Sequence, residues 1–292
     1  MSAGERLPGT PEPRHVWTGH GGIRLAADSW GNPDGPPVIL MHGGGQTRHS
    51  WRGAGQRLGA AGYHAIAFDA RGHGDSDWAG RDGYGVDRMV ADLGCVIGEL
   101  ETFPPVLVGA SMGGATALVA VGERRVEARA LVMVDIAPRI EADGRARIRH
   151  FMDQKPEGFD SLKEVAEAIA QYQPHRKRPR TLDGLAKNVR LAANGKYVWH
   201  WDPARRLSQV GDPGYRQRLS DAADSLDLPV LLVRGGMSDV LSEEGARAFL
   251  EQVPHAEYAR VGNAAHMVAG DRNDLFAQSV IRFLLRVVPP TG

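Results

Sequence analysis

Six short, dense apolar runs recur along the chain: PVILMHGG (37–44), HAIAFDARG (64–72), PVLVGAS (105–111), ARALVMVDIA (128–137), PVLLVRGG (229–236) and AEYARVG (256–262). Runs of this kind are expected of strands covered on both faces, which lie in parallel sheets and need crossover connections. Segments of helix length lie between them, at about 51–61, 86–100, 112–122, 242–252 and 272–286. In the second of these, Val86, Met89, Val90, Leu93, Val96, Ile97 and Leu100 fall at helical spacing. Earlier, VWTGHGGIRLAADSW (16–30) alternates around Gly21-Gly22 and predicts a hairpin at a sheet edge. Strand alternating with helix predicts an α/β protein with a doubly wound, mostly parallel sheet.

One region breaks the alternation. Between about 138 and 220 no buried strand is predicted, whereas SLKEVAEAIAQY (161–172) and TLDGLAKNVRLAANG (181–195) read as amphipathic helices. The chain is therefore expected to divide into a mobile Gly/Pro-rich tail (1–13), the first part of an α/β core (14–137), a helical insertion (138–220) and the rest of the core (221–292).

Composition narrows the function more than the fold. The 292 residues carry 35 Lys+Arg against 35 Asp+Glu, and this balance argues against a nucleic-acid binder, which needs a basic excess. The insertion departs from it, with 17 Lys+Arg against 10 Asp+Glu and a dense basic stretch at HRKRPR (175–180). That excess favours an anionic substrate or surface, although a solvated loop is the plainer reading. A single cysteine, Cys95, excludes an internal disulfide and is expected on a buried helix face. No apolar run reaches membrane-spanning length, and Glu5 and Arg6 stand where a secretory signal would be apolar. A cytoplasmic protein without a membrane partner is expected.

The segment VLVGASMGGATAL places Gly109-Ala110-Ser111-Met112-Gly113 after a predicted strand and before a predicted helix. G-x-S-x-G is a weak signal alone. At a strand-to-helix turn it becomes a nucleophile elbow, in which small neighbours let the chain turn sharply and lift the serine hydroxyl above the sheet. A serine hydroxyl needs a base to take its proton, and eleven histidines are available. His73, Asp75 and Asp77 could mimic metal ligands, but no independent metal motif accompanies them, and no metal is expected.

With MHGGGQTRHSW (41–51), FDARGHGDSD (68–77), GASMGG (109–114), VRGGMSDVLS (233–242) and GNAAHMV (262–268), the chain resembles the α/β-hydrolase superfamily over nearly its whole length beyond the tail. It is most similar to lid-bearing members with an epoxide-hydrolase or haloperoxidase-like core pattern. The resemblance implies Ser111 as nucleophile, His266 as general base and Asp239 as the carboxylate orienting it, with Asp135 as the alternative acid. It also implies an oxyanion hole from the backbone N–H groups of Gly44 and Met112. His42 is expected to be a structural histidine, and the 138–220 insertion a lid. Tyr172, Tyr197, Trp199 and Trp201 read as packing, anchoring or pocket-wall residues of that lid.

Epoxide hydrolases of this fold use a carboxylate at the elbow; serine there points to acyl transfer. The expected activity is hydrolysis of a carboxylic ester or related acyl compound through an acyl-enzyme, with no cofactor. Lactone, thioester, carbon–carbon and perhydrolytic chemistry use the same triad, because the pocket sets the choice. A small-molecule receptor on the same fold is the alternative from another class.

Overall fold

A computed structural model of the chain describes residues 4–100, 104–175, 182–204, 213–271 and 273–290. Its strands are β1 (Glu5–Arg6), β2 (His15–Thr18), β3 (Arg24–Trp30), β4 (Pro37–Met41), β5 (His64–Phe68), β6 (Val106–Ala110), β7 (Ala130–Val134), β8 (Val189–Leu191), β9 (Tyr197–Trp199), β10 (Val230–Gly235) and β11 (Glu257–Val261). Its helices are α1 (Arg52–Ala60), α2 (Val86–Gly98), α3 (Met112–Gly122), α4 (Ala142–Asp153), α5 (Leu162–Tyr172), α6 (Pro213–Asp224), α7 (Glu243–Gln252), α8 (Val268–Asp271) and α9 (Asn273–Val287).

Eight strands form the main sheet in the order β11-β10-β7-β6-β4-β5-β3-β2. Every pair from β11 to β5 is parallel; the β2–β3 hairpin lies antiparallel at the far edge. Side-chain alternation explains why β4, β6 and β7 lack polar positions: Ile39 and Met41 of β4 join the core layer under α2, α3, α6 and α7, while Val38 and Leu40 join the layer under α1 and α9. Register sets the site. Ala110 pairs with Val134, and Val134 with Val233, so the residues that follow β6, β7 and β10 emerge side by side at one edge of the sheet. A crevice at the carboxyl ends of parallel strands is where ligands bind in folds of this class.

The insertion, for which the label lid is kept, has a small core of its own, in which Phe159, Val165, Val189, Trp199 and Trp201 are buried together. Four expectations are corrected here. The stretch 181–195 is not one helix: a 3-10 turn (Asp183–Asn188) runs into β8, which pairs antiparallel with β9. The far boundary at 220 cuts through α6, whose Leu219, Ala222 and Ala223 belong to the main core against α3. The N-terminal segment is not a loose tail over its described part, because β1 pairs with β8 as the third strand of the lid sheet. Cys95 is half-buried on α2 rather than enclosed. Among the described residues no helix is long and apolar enough to cross a membrane.

An ion-pair cluster fastens this strap, the core and the lid together. Asp75 meets Arg48 of the core at 2.8 Å, Arg190 of β8 at 2.8 Å and Arg6 of β1 at 3.2 Å, while Arg48 also reaches Asp69 at 2.6 Å and Asp28 at 3.1 Å. Burial works against the charge on Asp75, but Arg190 and Arg48 more than offset it and hold its pKa below the ordinary 3.8. A carboxylate with a depressed folded-state pKa stabilises the fold above its unfolded value, and that contribution disappears as pH falls through the folded one. Asp75→Asn is therefore expected to lower stability by about 3–5 kcal/mol at pH 7, because it leaves buried guanidiniums uncompensated. In urea unfolding, the gap between wild type and variant should narrow as pH is taken below 3.8; a gap independent of pH would contradict this.

Candidate active site

Ser111 follows β6 with φ 47° and ψ −111°, a backbone conformation that L side chains rarely adopt. Sequence makes the turn possible. A Cβ on Gly109 would come within 2.5 Å of the Gly113 and Gly114 backbone, and one on Gly113 within 2.4 Å of the Met41 carbonyl oxygen. The sheet ladder continues through the turn, with the Ser111 N–H donating to Val134 O at 3.1 Å, so the strain is held by main-chain bonds. Met112 opens α3, and the first turn of a helix aims its N–H groups outward along the axis, the direction from which an anion is stabilised.

Asp135 follows the neighbouring strand β7 and also has positive φ, 53°. It is fully buried. Its Oδ1 accepts from the Gly235 N–H at 2.9 Å; its Oδ2 accepts from His266 Nδ1–H at 2.7 Å and from the Ser238 hydroxyl. Asp239, the expected partner of His266, is not there. The loop after β10 turns Ser238 inward against Asp135 and leaves Asp239 facing α4, where Arg147 pairs with it at 3.0 Å and a third of its side chain is exposed. Strand order gives the reason: β7 lies between β6 and β10, so the carboxylate at its end is the nearer one to the elbow. With one ring nitrogen of His266 held by Asp135, Nε2 is left for proton transfer.

The Gly43-Gly44-Gly45 loop borders the same crevice, with a Cβ built on Gly43 only 3.3 Å from Ser111 Cβ. His42 is structural. Its Nε2 accepts from the Ala70 N–H at 2.9 Å, which leaves Nδ1 protonated to donate to Gly43 O at 2.8 Å. The Gln46 N–H donates to the same oxygen at 3.1 Å. Because C=O and N–H point opposite ways in a trans peptide, two donors gripping Gly43 O turn the Gly44 N–H away from them. Gln46 adds a further tie, its Oε1 accepting from the Gly43 N–H at 3.1 Å. Gln46 and Ser238 were not singled out from the sequence, and no spacing pattern marks either.

Ser111, Met112, Gly44 and His266 all line one cavity of about 840 Å³ between the sheet edge and the lid. Its apolar wall includes Ile148, Phe151, Ile169, Trp199 and Trp201, with Tyr172 stacked on Phe151 at 4.2 Å. Burial, with Asp239 nearby, pushes the pKa of the Tyr172 hydroxyl up to about 12, so it stays protonated. His49 also faces the cavity; burial, then Arg48, takes its pKa down to about 4, and it is neutral in ordinary buffers. Tyr197 lies elsewhere, bridged to Phe159 within the lid.

The metal alternative is answered by the partners of its residues. His73 Nε2 accepts from the Gly45 N–H, Asp75 sits among three arginines, and Asp77 accepts from the Arg24 N–H. Among the described residues no cluster of His, Cys, Asp and Glu could hold a metal ion. Of the basic stretch 175–180, all but His175 lies outside the described residues.

The family model described as "Serine aminopeptidase, S33" matches residues 34–273. Esterase Rv0045c of Mycobacterium tuberculosis is 28% identical over 270 residues, covering 90% of this chain and 85% of that one. Its crystal structure superimposes with a TM-score of 0.72 over 96% of this chain and 93% of its own. Non-heme chloroperoxidase CPO-A1 of Kitasatospora aureofaciens is 26% identical, covering 92% of this chain and 98% of that protein. E-2-(acetamidomethylene)succinate hydrolase shares the fold, with a TM-score of 0.81 at 22% identity over 92% of this chain and 99% of its own. With the family match running from before β4 to the start of α9, the chain belongs to the serine aminopeptidase S33 family and is an enzyme with the α/β-hydrolase fold.

Proposed function

We propose that this enzyme hydrolyses a carboxylic ester through an acyl-enzyme on Ser111, with His266 as general base and acid and Asp135 as the carboxylate that orients it. The observation carrying this reading is the buried 2.7 Å pair of Asp135 and His266 opening on the cavity that Ser111 also lines. Ser111 Oγ attacks the ester carbonyl as its proton passes to His266 Nε2; the oxyanion is met by the Gly44 and Met112 N–H groups. His266 returns the proton to the departing alcohol. A water then attacks the acyl-enzyme, giving its proton to His266, and the acid is released as Ser111 is reprotonated. Asp135 balances the imidazolium each time it forms.

The cavity also favours an anionic substrate. Arg81, Arg145, Lys187 and Arg216 line it against one carboxylate, Asp82, and Arg145 and Arg216 have no acidic partner among the described residues. Charge of one sign around a low-dielectric cleft concentrates ligands of the other.

Three outcomes are expected with p-nitrophenyl esters. Ser111→Ala loses turnover by at least about 10,000-fold and no longer reacts with a fluorophosphonate, whereas wild type is labelled at one serine. Asp135→Asn lowers kcat by about 10,000-fold, because an amide cannot hold the required tautomer, while Asp239→Asn stays within about twofold of wild type. The reverse ranking would return the acid role to Asp239. Arg145→Gln raises KM for a carboxylate-bearing ester about fivefold at low salt, less at high salt, and leaves a neutral ester unchanged; equal effects on both esters would remove the anionic preference.

A further inference from the structure

His200 takes no part in the chemistry above, yet it is a fully buried imidazole placed by the lid against the loops that build the site. It follows β9 directly, between Trp199 and Trp201. Its Nδ1 accepts from the Gly74 N–H at 2.8 Å, and its other nitrogen lies 3.3 Å from Gly45 O. A backbone N–H only donates, so Nδ1 carries a lone pair. The ring is then neutral, with Nε2–H donating to Gly45 O. Burial pushes its pKa well below the ordinary value, and the Arg190 charge acts in the same direction, so the neutral ring persists.

Gly45 is thus held at both ends of the residue by imidazoles. Its N–H donates to His73 Nε2 at 3.3 Å, while His73 Nδ1 reaches Arg71 O at 3.2 Å. Its carbonyl receives His200. His42, His73 and His200 follow one another with ring centroids 5.0 and 6.0 Å apart. Gly45 has φ 72° and directly follows Gly44, so the loop has the freedom of three glycines and is fixed by side-chain bonds instead. Two histidines come from the core; the last comes from a segment 155 residues downstream of Gly45.

We propose that His200 is a positioning residue that fixes the oxyanion loop from the lid, so that seating of the lid and alignment of the Gly44 N–H are one event. The proposal rests on the reading of Gly44 as an oxyanion donor. It assigns the lid a share in transition-state stabilisation beyond forming the pocket wall. An interaction that aligns a donor for the developing oxyanion is felt in kcat, whereas a pocket-wall contact is felt mainly in KM.

Three variants of the full chain separate these roles. His200→Phe keeps an aromatic ring but makes neither bond; His200→Asn retains an acceptor near the Nδ1 position for Gly74; His200→Gln retains a donor near the Nε2 position for Gly45. On a neutral p-nitrophenyl ester, Phe and Asn are expected to lower kcat roughly 10- to 100-fold with KM little changed, and Gln to restore kcat to within about threefold of wild type. Affinity for an alkyl boronic acid, whose adduct places an oxygen in the oxyanion hole, should fall in the same order. Activity losses that follow melting temperature across the three variants, or that fall on KM with kcat retained, overturn the proposal. If Phe does not fold, Gln against Asn decides it: equal activity overturns it. A wild type that turns over no ester would instead count against the proposed function, a result distinct from any ranking of the variants.

Discussion

Two residues in the left-handed region of backbone space, Ser111 and Asp135, end adjacent parallel strands, and the rest of the site depends on their being held there. A non-glycine residue in such a conformation costs of order 1–3 kcal/mol and persists only where its surroundings over-determine it. The ladder does so: Ser111 N–H is bound to Val134 O and Asp135 N–H to Val233 O, each bond extending the pairing of a strand buried on both faces. The serine and the carboxylate are thereby positioned by main-chain bonds rather than by contacts between their side chains. Only His266 arrives on a loop, and Asp135 fixes it.

Around this edge the structure separates charge from neutrality. Arg48 meets Asp75, Asp69 and Asp28 at hydrogen-bonding distance, and Arg190 joins it at Asp75, which keeps its charge in the interior for that reason. A few residues away, His42 and His200 stay neutral because each accepts a main-chain N–H on one nitrogen and faces a carbonyl with the other. Both devices join lid to core, one through Arg190 and one through His200. The ion pairs fasten the lid as a body, and the imidazole chain reaches from it to the loop beside Ser111.

The resulting cavity is asymmetric. Aromatic and branched side chains from α4, α5 and β9 give it an apolar wall, while cationic side chains from several elements give it positive potential. The proposed acyl group and anionic substituent would be met by the two features separately, an apolar wall for one and positive potential for the other.

Local order was legible in the sequence. The six core strands, the hairpin and the five core helices follow from periodicity, because an element buried on both faces or on one stripe writes its environment into its own residues. Ser111 was legible for the same reason: the glycines that permit its turn lie within two residues of it. Asp135 was only an alternative, since the choice between it and Asp239 depends on the order of strands across the sheet and on which way Ser238 turns, neither of which leaves a local pattern. The strap at Glu5–Arg6 and the position of His200 were not legible at all, because their partners lie more than a hundred residues away and nothing in two or three residues records a distant neighbour. Sequence by itself determined which segments become strands and helices and which serine is strained; tertiary structure decided which acid pairs with His266, which loop borders the serine and which strand the N-terminal segment joins, because those contacts are set by strand order and packing rather than by periodicity.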